Sequence, residues 1–239
     1  MMACFDERGR LFIAESAGFN LDEKQLGARR PNFIRRIEDT DGDGVFDKST
    51  IFADKLLIPN GALWLDGALY VAEPPGIWRF TDTDGDGVAD RREHLAGNVR
   101  SNGMSSTIHG PVLHPGGRLF WCSGQQGYSL DKHAEPPPGR IAPGVFSLTR
   151  DGAEHEVFAV GGTANPVEVT FNEEGEGFGT IAILDRVDGQ RNDALMHWIH
   201  GGVYPHNPND PVPIKRTGPD LPPLSRVGQV APAGLEYYR

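Results

Sequence analysis

The chain has 239 residues and a net charge of −10, from 23 Lys+Arg against 33 Asp+Glu. That acidic balance argues against a protein that grips nucleic acid or anionic lipid by charge, and no run of about 18 apolar residues is present to span a membrane. Apolar residues at 38%, with 9% aromatic, are enough to build a core.

The N-terminus, Met1-Met2-Ala3-Cys4-Phe5-Asp6, has neither a basic nor an apolar leader region, so we read no signal peptide in it. Cys4 and Cys122 are the only cysteines. Two cannot build a metal framework, and no C-x-x-C-H occurs to attach haem. Gly (31) and Pro (19) make up about a fifth of the chain and are scattered as punctuation. Short segments between frequent turns point to an all-β protein. The best helical candidate is the short run from Arg191 to Trp198.

An internal repeat is plain. Arg36-Ile37-Glu38-Asp39-Thr40-Asp41-Gly42-Asp43-Gly44-Val45-Phe46-Asp47 recurs as Arg79-Phe80-Thr81-Asp82-Thr83-Asp84-Gly85-Asp86-Gly87-Val88-Ala89-Asp90. A turn running into a strand recurs at Gly9 to Glu15, Gly67 to Glu73 and Gly117 to Trp121, and more faintly at Gly175 to Thr180. The second unit resolves into four strands: Ala62 to Leu65, Ala68 to Ala72, Ile77 to Thr81 and Arg91 to Leu95. Asp66-Gly67 and Pro75-Gly76 are its turns, because Gly and Asp tolerate positive φ. Four-stranded units repeating every ~40–50 residues mark a β-propeller. A sandwich with a duplicated hairpin is the other reading. Blade-like units cover 5–56, 58–100, 105–161 and 165–203. Residues 204–226 read as a Pro-rich linker, and 227–239 as the start of a further blade. An orphan strand there implies an incomplete propeller of about four blades in this chain.

The pattern D-x-D-x-D-G-x-x-D occurs twice between expected strands. Hard cations take six to eight oxygens, and alternate residues of a tight loop turn three carboxylates inward. The calcium ligands expected are Asp39, Asp41, Asp43, the Val45 carbonyl and Asp47, then Asp82, Asp84, Asp86, the Val88 carbonyl and Asp90. The twelfth place is Thr50 in one loop and Glu93 in the other, so Glu93 is added, and its loop is expected to bind the tighter if that side chain reaches the ion. The flanks read as strands, unlike an EF-hand. A solvated acidic turn without an ion is the alternative, and an ion here would brace a hairpin rather than catalyse.

These loops stand in a longer order: Gly-x-Leu-Phe-x-Ala-Glu, Asp-Thr-Asp-Gly-Asp-Gly, His109 to Phe120, Gly124-Gln125-Gln126-Gly127, Asn165-Pro166 and Trp198 to Tyr204. In that order the chain resembles the "membrane-bound dehydrogenase domain" proteins of planctomycetes and their relatives. Their propeller is similar to soluble quinoprotein glucose/sorbosone dehydrogenases. The resemblance implies a six-bladed type of propeller, calcium and pyrroloquinoline quinone as cofactors, oxidation of a sugar or polyol, and a periplasmic or extracellular place. It also implies a longer parent, often with a cytochrome c module, of which nothing occurs in this chain. His109 holds the place of the family's general base, a role suited to a side chain that titrates near neutrality. Ala164 stands where the family carries an Arg before Asn-Pro, and no Gly-Pro calcium segment follows Phe178. His109 as a buried structural residue therefore remains open beside His109 as base. A non-catalytic propeller binding glycan or protein, or an inactive fragment, stands as the rival function.

His197 and His200 read as a surface turn, and His114, His133, His155 and His206 as loop residues. Trp64, Trp78, Trp121 and Trp198 read as blade core. Neither a nucleophile elbow nor a zinc helix nor a phosphate loop is found.

Overall fold

In the computed structural model the described residues are 3–15, 21–101, 103, 105–124, 126–135, 139–162 and 164–238. Gln125 of the Gly-Gln-Gln-Gly turn and the leading Met1 and Met2 lie outside them.

Ala3–Phe5 (β1), Leu11–Glu15 (β2), Asn32–Glu38 (β3) and Lys48–Leu56 (β4) pair antiparallel in chain order. Burial alternates along β2 and β3, as the period of two requires. A helix unforeseen in the sequence, α1 (Glu23–Arg29), joins them. Asp22 caps it, accepting the Gln25 N–H at 2.8 Å, while Gln25 accepts the Asp22 N–H at 3.2 Å. The second sheet is β5 (Ala62–Leu65), β6 (Ala68–Glu73), β7 (Gly76–Thr81) and β8 (Arg91–Ala96). Its first turn places Asp66 at φ 52° and Gly67 at φ 76°, the backbone a two-residue hairpin demands.

A short β9 (Asn98–Val99) leads to the third sheet, β10 (Ile108–Leu113), β11 (Leu119–Ser123), β13 (Gly144–Leu148) and β14 (His155–Gly162). β12 (Tyr128–Ser129), within its long loop, pairs with β9. The fourth sheet begins with β15 (Asn165–Phe171), β16 (Gly177–Val187) and β17 (Gln190–Trp198). So the best helical candidate, 191–198, is a strand. Its apolar residues Ala194, Met196 and Trp198 alternate, and packing on that face overrides local propensity.

The end of the chain also departs from expectation. β18 (Gly202–His206) adds a fifth, parallel strand to the third sheet beside β14. β19 (Ser225–Gly228) pairs with β17 and completes the fourth sheet. Residues 204–226 thus begin and end in strands, and 229–238 form none. A parallel addition needs no hairpin, so it leaves no turn signature in sequence.

The first strands of successive sheets touch in turn, β1 with β5, β5 with β10, and β10 with β15. Four blades therefore stand around one axis as a β-propeller, and the core lies between blades. Phe12, Ile34 and Phe52 meet Leu69 and Phe80. Tyr70 and Ile77 meet Trp121 and Phe146. Phe120 and Val145 meet Ile181 and Trp198. Each such side chain contributes about 2 kcal/mol when fully buried. Trp121 and Trp198 are buried core as expected, whereas Trp64 and Trp78 are only partly covered.

Candidate functional site

Strand direction sorts the candidates onto two faces. Both acidic loops join the third and fourth strands of a blade. His109 opens a first strand, and Glu73 closes a second strand, which puts both at the opposite face.

In each loop three carboxylates offer oxygens within 4.8 Å of one another, Asp39, Asp41 and Asp43 in one and Asp82, Asp84 and Asp86 in the other. Backbone amides build that convergence. Asp39 accepts the N–H of Gly42 (2.7 Å) and Gly44 (2.8 Å), and Asp82 accepts those of Gly85 (2.7 Å) and Gly87 (2.9 Å). The Gly44 N–H above all holds the Asp39 carboxyl below its usual range. Hard oxygen donors at this spacing fit a calcium-sized cation.

Asp47 and Asp90 have another occupation. Asp47 accepts the Thr40 N–H (3.1 Å) and hydroxyl (2.7 Å) with its two oxygens. Asp90 accepts the Thr83 N–H (2.7 Å) and hydroxyl (2.8 Å) with one. Those bonds hold the Asp90 carboxyl low, the Thr83 amide first. Thr40 and Thr83 thus close the loops, a role that their repetition in both copies could have signalled. Glu93 does not join the second cluster. Its carboxylate is held by Arg79 (2.6 Å) and Arg91 (3.3 Å), with Arg79 the main cause of its lowered pKa. In this arrangement Glu93 is turned to the arginines and away from the three carboxylates.

The loops differ in their setting. The first is exposed from Thr40 to Asp47, with Asp39 half-buried. The second docks on the neighbouring blade: the Ala89 N–H donates to the Phe52 carbonyl at 2.8 Å, and Ala89 is buried. Arg36 of β3, only 3% exposed, lies 3.9 Å from Asp82 and 3.0 Å from Glu38.

At the other face His109 is partly buried at the mouth of β10. Asn165 lies 3.2 Å from its Nε2. The amide orientation that satisfies all neighbours points the Asn165 NH2 at His109 Nε2 and at the Ser106 (3.1 Å) and Pro166 (3.3 Å) carbonyls. Burial pushes the His109 pKa down to about 4, so the ring is neutral at pH 7. Gly124 lets these strands close up, since a Cβ there would stand 2.5 Å from the Ser106 carbonyl and 2.9 Å from that of Ala164. Among the described residues the one side chain hydrogen-bonded to His109 is the uncharged Asn165. His114 has a structural role, accepting from the Gly116 N–H (2.8 Å) and meeting the Gly175 carbonyl (3.1 Å). His155 and His197 lie in strands rather than turns.

Four blades of mainly antiparallel strands, two of them with acidic hairpin loops, define the class, a β-propeller. The chain belongs to the DUF7133 family, described as a domain of unknown function, whose model matches residues 1–213. Solved structures of the same fold include the holo form of the pyranose dehydrogenase PQQ domain from Coprinopsis cinerea. It is 16% identical with a TM-score of 0.55, over 83% of this chain and 50% of that one. A putative oxidoreductase (glucose dehydrogenase) from Thermus thermophilus is 19% identical with a TM-score of 0.54, over 95% of this chain and 68% of that one. A Trichoderma reesei carbohydrate-active enzyme of family AA12 is 16% identical with a TM-score of 0.52, over 85% and 54%. The chain therefore spans about half to two-thirds of the structures it resembles. No curated protein matches the sequence.

Proposed function

We propose that this chain is a calcium-braced propeller of the quinoprotein-dehydrogenase type that binds a carbohydrate-like ligand without oxidising it. The observation that carries the first half is the double cluster of carboxylates, each preformed by backbone amides. Exposed loops of this kind suit a compartment rich in calcium, such as a periplasm or extracellular medium.

The second half rests on the surroundings of His109. Pyrroloquinoline quinone is a polyanion and requires cations around it. His109 is met by Asn165, which also reaches the Ser106 carbonyl, and Ala164 stands where the resemblance implies Arg. The quinone does not fit that donor set. The neutral imidazole at the mouth of an inner strand favours the second reading, sugar or polyol oxidation with His109 as base. Adding quinone and calcium to the purified chain, then following the absorbance spectrum and dye-linked sugar oxidation, separates the two. We expect an unshifted quinone spectrum and no turnover. A stoichiometric complex whose turnover is lost in His109→Ala would establish the oxidising reading instead.

A further inference from the structure

Outward from His109, Asn165 pairs in register with Ala182 on β16. There β16 leaves its ladder: the register with β17 breaks between Ile181 and Asp185. Ile183 sits at φ 61°, a left-handed conformation that a β-branched residue keeps only when its surroundings hold it. Asp193, fully buried on β17, does the holding. One oxygen accepts the Ile183 N–H at 2.7 Å and Arg191 Nε at 3.2 Å, and the other accepts the Val230 (2.9 Å) and Ala231 (2.7 Å) amides. Bulges re-aim the side chains beyond them. Here those are Asp185 and Arg186, and they form one wall of a cavity of about 550 Å³ closed by Arg140, His206 and Asn207. That is the size of a small-molecule site.

The charges in the walls are unevenly met. Asp185 is neutralised by Arg226 at 2.7 and 3.1 Å, and Arg140 by Asp210 at 3.5 Å. Arg186 is exposed and makes no ion pair among the described residues. It leaves one uncompensated cation at the cavity, on a chain of net charge −10. The neutral groups offer hydrogen bonds of both kinds. His206 Nδ1 is 2.9 Å from the Tyr204 carbonyl, so it carries the ring proton and leaves Nε2 as an acceptor. Asn207 uses its side-chain oxygen on the Asn209 amide at 3.0 Å, which leaves its NH2 to donate. One Asp185 oxygen lies buried in the same wall without a partner. Its charge is already met by Arg226, so what it lacks is a hydrogen-bond donor rather than a cation.

We propose that this cavity binds a small hydroxylated carboxylate of the sugar-acid class. The carboxylate is taken by Arg186 and the hydroxyls by His206 and Asn207. This rests on the ligand-binding reading above and gives it a ligand class. Titration calorimetry of the full chain with D-galacturonate, galactose and acetate tests it. Galacturonate carries both features, and each of the others carries one. We expect galacturonate to bind at least about tenfold more tightly than either. Arg186→Ala, at an exposed position, weakens it by about tenfold. Acetate binding as tightly as galacturonate reduces the site to a general anion contact and overturns the proposal. Indifference to Arg186→Ala overturns it too. If neutral glycans bind and no acid does, this pocket assignment fails while the ligand-binding reading stands.

Discussion

Arg36, on the third strand of the first blade, packs against Gly87 in the acidic loop of the second. A Cβ built on Gly87 would stand 2.2 Å from the Arg36 guanidinium. The corresponding Gly44 of the first loop faces open space. Both glycines have positive φ, 95° and 90°. One loop is therefore a seam between blades and the other a free hairpin, although their sequences are nearly the same.

That contrast sets the first expectation. Gly44→Ala costs about 1 kcal/mol, the strain of a left-handed alanine alone. Gly87→Ala adds displacement of a buried, paired arginine and costs about 2 kcal/mol more. Urea unfolding in chelator measures both, and equal losses would show that Arg36 yields freely.

Glu73 ends β6 with 1% exposure, its carboxylate accepting the Leu57 N–H at 2.5 Å. Burial pushes its pKa up to about 7 from 4.5. A raised carboxyl binds its proton more tightly folded than unfolded. Its stabilising contribution is complete below pH 4.5 and is lost as pH rises from there to about 7, then stays constant. We expect Glu73→Gln, which keeps an acceptor for Leu57, to flatten that decline and to gain a few kcal/mol at pH 8. A variant no more stable than wild type at pH 8, with the same decline, would mean that Glu73 keeps an ordinary carboxyl pKa in the folded state.

His109 shifts the other way. Its folded pKa is lowered from 6.5 to about 4, so its contribution is complete above pH 6.5 and is lost as pH falls toward 4. Nitrogen-15 shifts of the imidazole should report a neutral ring down to about pH 4. A ring that titrates near 6.5 would place His109 in water and away from Asn165.

Asp193 ties the β16 bulge to the segment beyond β19 through the bonds to Ile183, Val230 and Ala231. Asp193→Ala leaves the Ile183, Val230 and Ala231 amides without their acceptor, and we expect a loss of about 2–3 kcal/mol in chemical unfolding. A loss under 1 kcal/mol would mean that water replaces the carboxylate.

Much of the fold is legible in the sequence because its signals are local. Asp66-Gly67 names its own hairpin, and the acidic loops announce both their glycines and their three converging carboxylates. The strand 191–198 is not legible, because its polar residues favour no local structure, and only Met196 and Trp198 packing in the inter-blade core make it a strand. β18 and the closing role of β19 depend on pairing with distant partners, which no local pattern records. At the loops, a motif position alone points to Glu93 as a ligand, whereas its partner Arg79 lies on the adjacent strand. Arg36 is invisible as a loop residue for the same reason, since it reaches the second loop from another blade.

Calcium titration by calorimetry into metal-stripped protein, with Asp43→Asn and Asp86→Asn alongside, tests the braced propeller most directly. We expect two binding events in the wild type and one in each variant. Saturation at about a hundred times Kd should add about 2.7 kcal/mol per site and raise the melting temperature by several degrees. Asp86→Asn should forfeit the larger share of that rise, because its loop joins two blades. No heat and no rise in melting temperature at millimolar calcium would contradict both sites.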